Sequence, residues 1–329
     1  MKRILSLALC LSLVCGLLCA CKPREPEVRT LRLCEVAHSV FYAPFYAAMD
    51  LGYFAEEGIE IELTNGGGAD KVMTAVLTGQ ADIGLAGPEA CIYVQKEGRA
   101  DHPVVFAQLT RRDGSFLVGR SPGDFSWEDL RGSYIIGGRK GGVPEMTLDY
   151  VMKQKGIIPH VDATVDTGVA FNMMAGAFTG GLGDYVALFE PTATETELAG
   201  KGYVLASIGE EAGEIPYTAF FAAKSLLAED PDLIQRFTRA IARGLHYAAT
   251  ASPEELAAHM APQFPDSDTA VLARVAARYQ EIDAWCKTPV MTEESFQRLQ
   301  TVMETAGELD GRADFSAVVD NSFAEKASE

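Results

Sequence analysis

From Thr30 to Ala223, short apolar segments of strand type alternate with stretches of helical pattern, and this alternation limits the chain to few folds. Leu31 to Val36, Ile83 to Ala86, Val104 to Leu109, Phe116 to Gly119, Tyr134 to Gly137, Tyr185 to Leu188, Tyr203 to Ala206 and Thr218 to Ala223 read as strands. Helical patterns lie between most of them, at 43–49, 69–78, 89–97, 145–155, 171–178 and 192–199. A chain that makes a strand, crosses over as a helix and makes another strand sets the two strands parallel. Ile59 to Leu63 alternates Ile-Glu-Ile-Glu-Leu, the period of a strand with one face exposed. Beyond Ala223 the pattern is almost wholly helical, at 231–249, 253–260, 268–279 and 293–306. The expected class is α/β with a helical C-terminal tail.

The alternation contains an internal echo. Thr78-Gly79-Gln80-Ala81-Asp82-Ile83-Gly84-Leu85-Ala86 leads into Gly87-Pro88-Glu89. About a hundred residues later, Thr179-Gly180-Gly181-Leu182-Gly183-Asp184-Tyr185-Val186-Ala187-Leu188 leads into Phe189-Glu190-Pro191. Both run helix, Thr-Gly, Asp, apolar strand, then a Pro/Glu turn that opens a helix. Two lobes built on one unit, with a cleft between them, are the expected consequence. Asp82 and Asp184 precede buried strands and are read as structural caps.

The N-terminus has the layout of an export signal: Lys2 and Arg3, an apolar core from Ile4 to Leu18, then small residues before Cys21. The core is shorter than the about 20 apolar residues that span a bilayer. A cysteine directly after the cut resembles a bacterial lipoprotein signal, with Cys21 as the lipidated residue and 1–20 removed. Cys19 departs from the usual pattern, and an ordinary cut nearby is the alternative. Lys22 to Glu27 is charged, carries two prolines and reads as a tether over 21–29.

Acidic residues outnumber basic ones by 46 to 28, a formal net charge of −18, which disfavours nucleic acid as a partner because its phosphates would be repelled. Of seven cysteines, only Cys34, Cys91 and Cys286 follow the anchor, odd in number and widely spaced, so no disulfide framework is expected. Histidines 38, 102, 160, 246 and 259 are scattered, and no CxxC, HExxH or HxH spacing occurs, so no metal site and no cofactor are expected. Neither GxxxxGK[ST] nor GxGxxG is present to hold a nucleotide.

His38-Ser39-Val40-Phe41-Tyr42-Ala43-Pro44, Asp50 to Ile59 (DLGYFAEEGI), the two echo units and Asp129-Leu130-Arg131-Gly132 carry a more specific signal. Over roughly residues 30–250 the chain resembles the extracellular solute-binding proteins of ABC importers. The similar branch is the NMT1/THI5-like family, the group of nitrate, sulfonate, taurine and thiamine-pyrimidine-precursor binders. The resemblance implies a two-lobe, periplasmic-binding-protein-like type II fold with two crossing strands. Lobe 1 would comprise 30–112 and 216–329, with the tail packed back on it, and lobe 2 would comprise 113–215. It implies a monomeric receptor, lipid-anchored at the cell membrane outside the cytoplasm, that delivers a small solute to a permease with its ATPase. The alternative is an enzyme on the same scaffold acting on a pyrimidine or menaquinone precursor.

Candidate ligand-binding residues follow from where strands end and helices begin. In open α/β sheets ligands lie beyond the carboxyl ends of strands, and a helix start offers free N–H groups. Ser39 is read as a ligand donor or a cap, and Phe41 and Tyr42 as stacking groups or core. Gly67, Gly68 and Gly141 would permit close approach to the backbone, and Gly87 is a ligand contact or, with Pro88, shapes the turn. Glu89 faces the cleft through its side chain or its N–H, and Thr110 sits at the first crossing. Arg139 suits an anionic head group or is a solvated loop residue. Glu190 is the favoured acceptor for a ligand amine, and Tyr217 at the return crossing would close over the ligand. Arg111, Arg112 and Asp113 are read as hinge or surface residues in local ion pairs.

Overall fold

In the computed structural model, residues 28–329 are described. Cys21, the export segment before it and most of the tether lie outside the described residues. Ten strands form two five-stranded sheets: β1 (Arg29–Glu35), β2 (Ile59–Asn65), β3 (Ile83–Ala86), β4 (Pro103–Thr110), β5 (Ser115–Gly119), β6 (Tyr134–Ile136), β7 (Thr164–Asp166), β8 (Tyr185–Phe189), β9 (Tyr203–Ser207) and β10 (Thr218–Ala223). The strand orders are β2-β1-β3-β10-β4 and β7-β6-β8-β5-β9. β1 pairs in parallel with β2 and β3, and β6 with β7 and β8, as the helical crossovers require. One antiparallel strand enters each sheet at the fourth place, β10 between β3 and β4 and β5 between β8 and β9. These two strands follow the crossings from one half to the other. Every residue of β3 and β4 is buried, whereas the edge strand β2 shows the half-exposed alternation expected from its sequence.

The sequence echo has a structural meaning. β3 and β8 occupy the same central place in their sheets, each beside the inserted antiparallel strand. Asp82 accepts from the N–H of Arg32 at 2.9 Å while its own N–H donates to the Arg32 carbonyl at 2.8 Å. Asp184 does the same with Tyr134, at 2.8 and 2.7 Å. Both aspartates therefore clasp the neighbouring parallel strand in register.

The crossings run side by side and bond to each other. The N–H of Ile215 donates to the Arg111 carbonyl at 2.9 Å, and that of Tyr217 to the Thr110 carbonyl at 3.2 Å. Arg111 pairs with Glu214 and, at 3.0 Å, with Asp283. The tail does not pack on the first half alone. Arg278 and Tyr279, from the helix Thr269–Glu281, bond to residues of the second half. The helix Glu293–Ala306 lies against Val143–Gln154 of that half. Among the described residues, no helix is long and apolar enough to cross a membrane.

Candidate functional site

The interior between the two sheets is walled by aromatic rings. The Phe41 ring, 1% exposed, lies 5.9 Å from Phe189, 5.8 Å from Tyr217 and 5.0 Å from Tyr279, centroid to centroid. Phe41 belongs to the first half and Phe189 to the second, so these rings meet where the halves meet. Gly114, in the first crossing, is required by this packing: a Cβ there would fall 2.5 Å from the Phe41 ring. Tyr279 ties three parts together, its hydroxyl donating to the Gly114 carbonyl at 3.1 Å and accepting from the Glu190 N–H at 3.2 Å. Phe171, half exposed, extends the wall outward with its ring 5.7 Å from Phe189.

Three polar groups in this interior are buried and make no well-formed hydrogen bond: Glu89 Oε2, Asp113 Oδ2 and the Tyr217 hydroxyl, the last two interacting with each other. Glu89 stands at the start of the helix Glu89–Lys96, directly after β3. Gly87 makes room for it, since a Cβ there would lie 2.0 Å from its carboxylate. Burial pushes the Glu89 carboxyl up to about 7, against the pull of its own N–H, of Arg139 and of the Ala90 N–H. Asp113, wholly buried at the first crossing, takes the N–H and hydroxyl of Ser115 on Oδ1, each at 2.6 Å. Burial pushes it, too, up to about 7. Burial and the nearby charges of Asp113, Glu89 and Tyr42 drive Tyr217 well above the ordinary phenol range, so it stays protonated and can donate. Burial, with Glu35 and Glu89, does the same to Tyr42.

Several expected ligand contacts have other occupations. The Glu190 carboxylate takes the Thr194 N–H at 2.8 Å, the Thr194 hydroxyl at 2.9 Å and Arg278 at 2.5 Å. It is an inter-segment ion pair at a helix start, not a free acceptor. The Thr110 hydroxyl bonds to that of Thr218 and accepts from the Thr218 N–H at 2.9 Å, which fastens the two crossings together and leaves no group for a ligand. Ser39 caps the turn Val40–Tyr42 by accepting from the Phe41 N–H at 3.2 Å, and its hydroxyl reaches the Glu190 carbonyl at 3.5 Å across the halves. Gly141 donates to Glu145 at 3.1 Å and lies beside Glu308. Asp113 forms no ion pair; that role belongs to its neighbour Arg111.

At the mouth, Arg139 of the second half faces Asp70 of the first at 3.9 Å, both largely exposed. Gly67 and Gly68 stand beside Asp70 and hold left-handed φ values of 68° and 157°. The Gly67 N–H is taken by Asn65 at 2.9 Å. His38 does not serve Ser39 as a base. Its two ring nitrogens contact Glu35 at 2.7 Å and the Gln263 carbonyl at 2.8 Å, and the ring stacks on Phe264. Two surface hollows lie elsewhere, one lined by Arg120, Asp124 and Tyr185, the other by Tyr53, Arg243 and Lys287, and neither touches the buried carboxyls.

Sequence reasoning missed Asp113, Phe189, Arg278 and Tyr279. A signal existed only for Phe189, at the carboxyl end of the echo strand.

Two α/β halves joined by paired crossings, with aromatic and polar groups enclosed between them, define a bilobal protein of the periplasmic-binding-protein fold. The chain belongs to the NMT1/THI5-like family, whose pattern it matches over residues 40–256. It is 38% identical over 310 residues to a Bacillus subtilis (strain 168) protein named Putative binding protein YtlA, covering 94% of this chain and 92% of that one. Its fold is similar to that of the alkanesulfonate-binding protein SsuA from Xanthomonas axonopodis pv. citri, with a TM-score of 0.72 at 17% identity and coverage of 91% and 99%. The periplasmic nitrate-binding protein NrtA from Synechocystis PCC 6803 is also similar, with a TM-score of 0.69 at 14% identity and coverage of 93% and 89%.

Proposed function

We propose that this protein is an extracytoplasmic receptor, lipid-anchored through Cys21, that holds a flat, nitrogen-bearing solute between its lobes and hands it to an ABC import permease. The lobes are 30–112 with 216–329 and 113–215. The export-signal layout at the N-terminus and the family's binding proteins support the location and the partner. The observation that carries the solute class is the pair of buried carboxyl oxygens on Glu89 and Asp113 without a well-formed hydrogen bond, set among the rings of Phe41, Tyr42 and Tyr217. A buried carboxyl oxygen left without a donor costs about 1–3 kcal/mol, and a ligand amine or ring N–H would remove that cost. The aromatic walls would pack on a flat ring. The family resemblance and the relative's name favour binding over catalysis.

A second reading has its own support. Arg139 at the mouth and the binders of sulfonate and nitrate among similar structures favour an oxyanion.

Mass spectrometry of the solute that co-purifies, and calorimetry with amino-substituted heterocycles and alkanesulfonates, separate the two. Glu89→Gln and Asp113→Asn are expected to weaken heterocycle binding about tenfold or more, as loss of a charge-assisted hydrogen bond does. Arg139→Gln should change it by less than about fivefold, as an exposed charge does. Sulfonate binding abolished by Arg139→Gln and untouched by Glu89→Gln would reverse the assignment.

A further inference from the structure

The helix Val143–Gln154 carries two acidic residues one turn apart, Glu145 and Asp149, which are 3% and 5% exposed. The chain after the helix folds back and sets His160 against them. One ligand atom from each of the three lies within 4.8 Å of the other two. Asp149 Oδ2 is 4.0 Å from His160 Nε2, and Asp149 Oδ1 has no hydrogen-bond partner. Glu145 commits one oxygen to the Gly141 N–H at 3.1 Å. The neighbouring lysines are directed elsewhere: Lys153 donates to the Thr305 carbonyl, and Lys140 faces Glu308 at 3.8 Å. Two buried acids thus share a site with an imidazole, and neither lysine bonds to them.

We propose that Glu145, Asp149 and His160 form a divalent-cation site of the zinc or cobalt type. One imidazole nitrogen with two carboxylate oxygens is a donor set such ions accept, with water completing the shell. Zinc ligands lie about 2.0–2.2 Å from the ion, so the three donors must draw in by about 1 Å. His160 can do so, because its side chain is 53% exposed and free to turn. Through Glu145 and Gly141 the ion braces the loop that carries Arg139. The donors stand four and eleven residues apart, which matches no short motif, and this is why the sequence shows no metal pattern.

The test uses the purified protein, stripped with chelator and then titrated with zinc chloride or cobalt chloride alone. The expected result is a rise in melting temperature with both ions, and a visible cobalt absorption band that saturates at one equivalent. His160→Ala, a change at an exposed position, should weaken binding about tenfold or more, and Asp149→Asn should abolish the melting response. No band and no shift at millimolar metal, or an unchanged response in His160→Ala from scattered surface carboxylates, would overturn the site.

Discussion

A carboxyl group taken out of water without a cation keeps its proton to higher pH, and Glu89 and Asp113 do so up to about 7. In the unfolded chain both titrate near 4, so between about pH 4 and 7 the folded state holds more protons. Their effect on stability is therefore most favourable at acid pH and is lost as pH rises through that window. Glu89→Gln, which mimics the protonated form, is expected to be about 2 kcal/mol more stable than the parent at pH 8 without ligand, with the gap closing near pH 4. Urea unfolding of both proteins across that range measures it; a gap independent of pH would mean that Glu89 is not forced to ionise in a buried place. Glu89 was visible in the sequence because it follows an apolar strand and opens a helix. Asp113 was not, because only the paired crossings bury it. Glu190 looked free because its partner Arg278 lies 88 residues further along the chain.

Between elements, what the sequence conceals is how closely two backbones approach. The helix Pro231–Thr250 buries Leu233, Ile234, Phe237, Ala240, Ile241, Leu245 and Ala248 along one face. That spacing of three and four residues was legible as an amphipathic helix. Gly244 on the same face looks like a weak point in a helix, yet a Cβ there would fall 2.3 Å from the Pro44 carbonyl of the helix Ala43–Asp50. Gly244→Ala would contribute about 1 kcal/mol in helix propensity. The clash costs about 1–3 kcal/mol. A net fall in melting temperature is expected from thermal unfolding; a rise would mean that the two helices can part cheaply. Strands other than β7 were likewise readable in their order of appearance, and the Thr-Gly…Asp echo correctly signalled two halves of one plan. The tail was expected on the first half, where Pro231–Thr250 does pack on Ala43–Asp50, and Arg278, Tyr279 and the helix Glu293–Ala306 add contacts with the second half. Helical periodicity reports which face is apolar and not which surface will cover it.

At the scale of the whole molecule, the halves are held by the paired crossings, by the straddling tail and by contacts at the mouth. Asp70 and Arg139 are exposed and 3.9 Å apart, so their attraction is worth about 0–1 kcal/mol. Asp70→Arg replaces attraction by repulsion and is expected to shift the balance of closed and open forms by up to about fivefold. Small-angle scattering should then report a larger mean radius of gyration that solute reverses; an unchanged radius would show that the tail, not the mouth, sets the separation. The sequence alone determined the alternation of strand and helix and the duplication of the α/β unit, because each is written in residues near one another in the chain. Tertiary structure alone decided which acids are satisfied and which are stranded. Solvation and pairing of a charge depend on what the distant chain brings beside it: Arg278 to Glu190, and no donor to Glu89 Oε2.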